Sequence, residues 1–433
     1  MGSISCFTFP QKKHNRQTKL PDLRFLYSEF RTHMIFSTAL MPICRKTNPD
    51  FRFEVVEAFE LLPRPIKELV ARKRGIFGTE QYYLSLEKMG AKAPKNLYAQ
   101  AFDGERCCGV FHFQLVPFSG NQLESFIPER LGTSFQKAIK RILNGFKSKL
   151  MVAGNIFMTG DTGICTFEDE SSAHIGEIYA ACVVNLLRER HKPGAFLVSD
   201  LYGPDTDFDF VLENAGFRRT DSEPDMELEI RPEWQSMDDY LNALSTKYRT
   251  RAKRTFSKSA EMEKKSLSCD EIQGCEHKLF ELYSQVTEGV KLKLATLEHG
   301  YFSTQKKAEP ERYHVFCYSK GGKPLGLMTY YINGQRLEVH HTGRDKESTT
   351  DMMLYERMLL DAVAFGIENK VQSIHFGRTA TEVKSTIGAR PREMHGYVFH
   401  TKPIRNQLFA FMARTLRAKP YQLRQPFKNQ EIK

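Results

Sequence analysis

Glu338, His340 and His341 fall in the strand-like run Gln335 to Thr342. Side chains alternate across a strand, so Glu338 and His340 share a face while His341 points away. Either member of that face suits a general base acting on an amine, and His340 has the intrinsic pKa nearer neutrality. The competing reading is a histidine that merely packs. Further along, Arg378 follows Gly377 at the carboxyl end of the apolar run Val371 to Phe376. Ligands bind at such strand ends in α/β sheets, and the guanidinium fork matches a carboxylate or phosphate, although a surface arginine would look the same. Lys384 sits just beyond, on a short helix from Ala380 to Ile387. A buried cation there would stabilise developing negative charge or hold a phosphate; an exposed one would pair with Glu382 or with nothing. Tyr248, Arg251 and Arg254 form a further group. Helical i,i+3 spacing sets Arg251 with Arg254 and Tyr248 beside Arg251, which makes either an anion pocket or a solvated basic face.

These residues need a frame, and the chain writes its signals twice. From Phe51, FRFEVVEAF alternates as a strand, and a basic helical stretch and the helix Glu80 to Met89 follow. Leu97 to Phe118 reads as a hairpin turning at Asp103-Gly104. Then come a helix, Gln136 to Phe146, a strand, Leu150 to Thr159, a long helix, Ala173 to Arg190, and a buried strand, Ala195 to Leu201. A helix from Phe208 to Ala215, stopped by Gly216, leads to an outgoing strand, Met226 to Ile230. Arg231 to Ser236 reads as a linker, with Ser236 capping the helix Met237 to Leu244. The second half holds a basic helix at 247–265, a helix Leu279 to Thr287, and a hairpin of Tyr313 to Tyr318 and Leu325 to Asn333. It continues with the strand Gln335 to Thr342, a long helix Asp351 to Asn369, the strand and short helix around Arg378, and a last strand His395 to His400. The letters differ between the halves but the order repeats, so the pattern predicts an α/β fold with mixed sheets, built from two copies of one domain. Expected boundaries are a basic leader at 1–50, a first domain at 51–232, a second with the candidate active site at 236–403, and a basic amphipathic tail at 404–433 that packs against the second domain.

The chain has 433 residues, 41% hydrophobic and 27% charged, which excludes a single small module and wholesale disorder. No apolar run reaches the roughly 18 to 20 residues of a membrane span, and no signal segment stands out, so the sequence reads as cytoplasmic. Nine cysteines without a C-x-x-C spacing argue against a disulfide framework and a zinc ribbon, and all nine read as small buried hydrophobes; no metal is expected. The net charge of +11 is concentrated at 1–50, 247–265 and 402–433, with eight Lys/Arg in each against three, two and one acids. Such patches attract any polyanion, be it nucleic acid, an anionic membrane or a phosphorylated small molecule.

Several passages carry a resemblance. Asn214 to Arg219, NAGFRR, before an outgoing strand looks like the closing segment of a GNAT acetyltransferase. Lys247 to Thr255, KYRTRAKRT, with Leu354 to Gly388 far downstream, resembles the FemAB-like branch of that superfamily, whose members carry two tandem GNAT-like domains. The resemblance covers about residues 51–403 and implies transfer of an acyl or aminoacyl group, from a thioester or ester donor, to a small-molecule amine. The donor arm would enter between splayed strands, here Arg336 to Thr342 and Val371 to Phe376. Acetyl-CoA or another acyl-CoA is then the implied co-substrate. Its phosphates would meet the loop Gly343 to Asp351, where Arg344 and Lys346 are the cofactor-binding candidates and Asp345, Glu347 and Asp351 are poor neighbours. Thr159 to Gly163, TGDTG, stands at the equivalent place in the first half. An aminoacyl-tRNA donor in peptidoglycan-type assembly needs no such loop, and a catalytically degenerate pair that binds an anion or a partner is the remaining alternative. The resemblance assigns catalysis to Lys384, and the residue types and spacing add His340 and Glu338 as catalytic candidates and Arg378, Tyr248, Arg251 and Arg254 as substrate-binding candidates.

Overall fold

A computed structural model describes residues 51–428, apart from 91–92, 128–131, 146, 168–169, 189–192, 289–292 and 416–420. The expected leader, with Cys6 and Cys44, lies outside the described residues. In the first half the elements are β1 (Phe51–Val56), α1 (Arg64–Arg74), α2 (Glu80–Glu87), β2 (Lys95–Asp103), β3 (Arg106–Ser119), α3 (Thr133–Asn144), β4 (Lys147–Ala153), β5 (Ile164–Thr166), α4 (Ser172–Arg188), β6 (Ala195–Tyr202), α5 (Thr206–Asn214), β7 (Arg218–Asp221) and β8 (Asp225–Glu229). The second half continues with α6 (Met237–Ala243), α7 (Thr246–Lys258), β9 (Glu263–Ser266), α8 (Cys269–Thr287), α9 (Tyr301–Ala308), β10 (Tyr313–Lys320), β11 (Lys323–Asn333), β12 (Arg336–Arg344), α10 (Lys346–Thr349), α11 (Leu354–Glu368), β13 (Ser373–His375), α12 (Thr381–Ser385), β14 (Arg390–Arg392), β15 (Met394–Phe399) and α13 (Pro403–Thr415).

Two mixed sheets result. The first runs β1-β2-β3-β4-β6-β15-β7 with β5 beside β3, and the second runs β14-β8-β13-β12-β11-β10-β9. The strand expected to close the first half, β8, instead lies in the second sheet, where Leu228 pairs with Ile374 and Met226 with Pro391. In return β15, near the end of the second half, fills the first sheet between β6 and β7. Alternating apolar residues announce a strand but not its partner, which is why the pattern placed both in the wrong sheet.

Two further differences have local causes. The basic helix stops at Lys258, where the buried Ser259 turns its hydroxyl onto the Thr255 carbonyl, and residues expected to be helical form β9 along β10. Helix α8 begins ten residues before the expected Leu279, because Ser268 and Glu271 make a reciprocal capping box.

One buried cluster joins the halves, with Phe59, Tyr82, Tyr83 and Tyr98 from the first packed with Leu279, Tyr301, Tyr313 and Tyr331 from the second. The tail divides its contacts. Asn406 on α13 hydrogen-bonds the Gly216 carbonyl, and Phe409 meets Phe118, so this helix packs on the first sheet rather than the second half. Residues 421–428 return to the second half, where Phe427 packs on Trp234 and Tyr240 beside the expected linker. The described cysteines are free; four are buried and three half-buried. No helix among the described residues is long and apolar enough to cross a membrane.

Candidate functional site

Strands β12 and β13 run parallel and pair at Arg336↔Ser373, Leu337↔Ile374 and Glu338↔His375, where the ladder stops. Beyond that point β12 continues alone, because Phe376 donates its N–H to Met226 on β8 instead. The strands therefore part, as the resemblance implied. Between them opens a cavity of about 240 Å³, walled by Glu338 to Thr342, by His375 to Thr379, by Tyr283 and Thr287 of α8, and by Phe157 to Thr159 from the first half.

A β-bulge shapes its wall. Met328 pairs with Thr342 and Tyr330 with Val339, so Thr329 alone faces both His340 and His341. The Thr329 hydroxyl fills the irregularity by accepting the His341 N–H at 3.0 Å. A bulge re-aims side chains, and here both histidines line the cavity, against the strict alternation expected of a regular strand. Nor does His340 keep a near-neutral pKa. Burial lowers it to about 3, and its Nε2 is taken by the Tyr301 hydroxyl at 2.7 Å. Burial, and then His340, push His341 down further, and its Nε2 is buried without a hydrogen-bond partner among the described residues.

Opposite the bulge lies a charged group that sequence reasoning missed. His375 Nδ1 is 2.9 Å from Asp225 Oδ2, which also accepts the Tyr202 hydroxyl at 2.8 Å. Burial alone would raise the Asp225 carboxyl, yet the bonds from His375 and Tyr202 hold it below its ordinary value. Burial likewise opposes protonation of His375, but Asp225, Glu338 and Glu227 outweigh it and raise the imidazole. Both shifts favour the charged pair, carboxylate beside imidazolium. Glu338, across the parallel register from His375, is raised by burial against the pull of His375 and of Arg336, whose Nε lies 2.8 Å away. A carboxyl raised in this way is better matched to taking a proton near neutrality. Asp225 and His375 come from different halves and meet only because β8 crosses over. The signal in the sequence was there. Asp225, Glu227 and Glu229 give β8 one acidic face, and His375 stands between the apolar Ile374 and Phe376.

Lys384 is buried, 3% exposed, which excludes the solvated-helix reading. Its ammonium donates to three carbonyls, Phe376 at 2.7 Å, Gly377 at 2.9 Å and Arg378 at 2.7 Å. All three protons are used. Burial pushes its pKa down to about 7, and Asp225 and Glu223 act in the opposite direction. The turn it holds is strained, since Gly377, Thr379 and Ala380 have φ of 71°, 66° and 49°, and each non-glycine residue there costs about 1–3 kcal/mol. Lys384 therefore fixes the cavity's wall through the backbone. Arg378 lines the same cavity, with its guanidinium Nη1 3.0 Å from Asp200 Oδ1.

Other expected residues lie elsewhere. Tyr248, Arg251 and Arg254 are outside the lining; both arginines are exposed, and Arg251 pairs with Glu356 on α11. Arg344 stands over the Tyr355 ring, one residue from the cavity wall, and Lys346 is exposed at the start of α10. The expected phosphate loop, Gly343 to Asp351, begins within the end of β12. Its glycine, Gly343, serves packing, for a Cβ there would lie 2.6 Å from the backbone of Leu282 and Tyr283 on α8. Asp345 spends its carboxylate on the N–H and hydroxyl of Ser348. In the first half, TGDTG is filled by its own acid. Asp161 accepts the N–H groups of Asn155 and Gly163, both at 2.9 Å, and pairs with the buried Arg74.

No family model matches the sequence, and no curated protein is similar to it. Solved structures do resemble it. A tandem GNAT protein from the clavulanic acid biosynthesis pathway superposes with a TM-score of 0.50 at 10% identity, covering 82% of this chain and 99% of its own. FemX gives a TM-score of 0.49 at 10% identity, with 82% and 100% covered. The chain has the tandem GNAT fold, as its motifs suggested.

Proposed function

We propose that this chain is an acyltransferase whose reaction takes place in the gap between β12 and β13. The observation that carries this reading is the gap itself, a stretch of β12 left unpaired on its β13 side and opening on a cavity lined by Glu338 and the Asp225–His375 pair. A donor arm fits along the free side of β12 as an added strand, and its carbonyl meets backbone donors there. An amine acceptor beside Glu338 attacks the carbonyl carbon. Its proton passes to Glu338, which returns it to the departing sulfur or oxygen as that bond breaks, so that a thiol or hydroxyl leaves and the carboxylate is restored. Lys384 keeps the Phe376 to Ala380 wall in place.

The donor class follows from the loop after β12. A CoA pyrophosphate needs close backbone approach and free amides, whereas Gly343 is packed under α8 and Asp345 adds a negative charge. An aminoacyl ester donor, which needs no pyrophosphate cradle, is therefore preferred over acetyl-CoA or another acyl-CoA. The deciding experiment is transfer to an amine acceptor, followed by mass spectrometry, with acyl-CoAs and with aminoacyl-tRNA as separate donors. Binding of either donor should also raise the unfolding temperature. Failure of every donor in both assays would leave a degenerate anion-binding protein.

A further inference from the structure

Four side chains of the first sheet, none of them lining the cavity, converge at one point. His174 Nε2 is 3.4 Å from Glu170 Oε2 and 3.7 Å from Asp103 Oδ2. Cys108 Sγ lies 3.9 Å from the same nitrogen, and the ligand atoms of Cys108, Glu170 and His174 are all within 4.8 Å of one another. One imidazole nitrogen thus faces a thiol and two carboxylates.

The fold builds this convergence. The β2–β3 register passes from Ala101↔Gly109 to Phe102↔Cys107, so Cys108 is the extra residue of a bulge. Gly109, at φ 153°, lets the Cys165 carbonyl approach where a Cβ would lie 2.3 Å away. Asp103 ends the neighbouring strand, Glu170 stands two residues before α4, and His174 lies in the first turn of that helix. Arg106 Nη1 holds Glu170 Oε1 at 2.7 Å, and its Nη2 is 3.4 Å from Oε2, the oxygen that also faces His174. Cys108 and Glu170 are buried, whereas Asp103 and His174 keep side-chain exposures of 30% and 23%, which leaves a way in.

We propose that Cys108, Glu170 and His174 bind one zinc ion, with the Asp103 carboxylate close by. Bonds of about 2.0 to 2.3 Å place tetrahedral ligand atoms about 3.3 to 3.7 Å apart, and His174 Nε2 lies 3.4 Å from Glu170 Oε2 and 3.9 Å from Cys108 Sγ. A thiolate with an imidazole selects zinc over magnesium or calcium. The charges also close, since a dication and Arg106 together balance the thiolate and the carboxylates of Glu170 and Asp103. The ion would clamp the end of the β2–β3 hairpin to the first turn of α4.

The test uses the full chain, stripped with a chelator and titrated with zinc against a chromophoric competitor, and then with cobalt as a spectroscopic stand-in. The expected result is one ion per chain and a thiolate-to-cobalt charge-transfer band. Cys108→Ser should abolish the band and weaken zinc by more than about 100-fold, beyond the usual cost of disturbing a supporting residue. Cys107→Ser should change neither. Glu170→Gln, nearly isosteric, should weaken zinc without unfolding the chain. The proposal is overturned if the unaltered protein binds zinc no better than a Cys108→Ser, His174→Ala double variant, or if its cobalt form lacks the thiolate band. Should Cys108→Ser fail to fold, the cobalt spectrum of the unaltered protein decides by itself.

Discussion

Arg378 on the cavity wall and Asp200 on β6 face each other across the two halves, Nη1 to Oδ1 at 3.0 Å. Asp200 is buried, has a positive φ of 69°, and accepts the Gly160 N–H as well. Removing either partner strands the other. A double-mutant cycle on Arg378→Ala and Asp200→Asn should therefore show a coupling of about 0.5–3 kcal/mol in denaturant unfolding. Additive losses would mean that the pair is incidental and that Arg378 is free to hold a ligand.

Lys384→Met leaves the Phe376 and Arg378 carbonyls without this donor, while the Gly377 carbonyl keeps the Met226 N–H. Each unsatisfied group costs about 1–3 kcal/mol, so stability should fall by about 2 kcal/mol or more, and transfer activity with it. Thermal unfolding of the variant checks this. A variant of unchanged stability with lost turnover would make Lys384 a catalytic residue and not a positioning one.

Glu338→Gln should lower turnover by about 10²- to 10⁴-fold, the usual range for a general base, while leaving the unfolding midpoint nearly unchanged. Because burial raises the Glu338 pKa, the unaltered protein's rate should fall as acid protonates this group, at a pH above its ordinary value. That acid limb should vanish in Glu338→Gln, and its survival would move the base elsewhere.

Stability should fall in mild acid. His112 is buried, its Nε2 is bonded to Asn96, and burial lowers its pKa to about 3, as it does for His340. A base depressed in the folded state binds fewer protons than in the unfolded chain, so stability is intact above about pH 6.5 and is lost as pH falls toward the folded value. Each such histidine removes about 1.4 kcal/mol per pH unit over that window. Unfolding temperatures read between pH 7 and 4.5 should show the decline, with a shallower slope in His112→Asn.

The strands and helices were legible because period 2 and period 3.6 are local properties. Sheet membership was not, since the choice of partner for β8 or β15 depends on residues far away in the chain. The site shows the same division. Lys384, Arg378 and Glu338 stand out beside one strand end, and all three line the cavity. Asp225 and His375 meet only through the exchanged strand, and His341 faces the cavity only because of a bulge opposite Thr329. The cluster of Asp103, Cys108, Glu170 and His174 has no recognisable spacing, because a hairpin bulge and a helix start assemble it.

The exchange of β8 and β15 also sets an order on biosynthesis. Residues 51–232 leave the ribosome with β6 and β7 separated by an empty place that only Met394–Phe399 can fill. Until then two strand edges stay open, and β8 has no sheet to join. Completion waits until that strand has been made, so closure of the first sheet comes late, is slow by virtue of its long-range pairing, and is the stage at which a chaperone has most to protect.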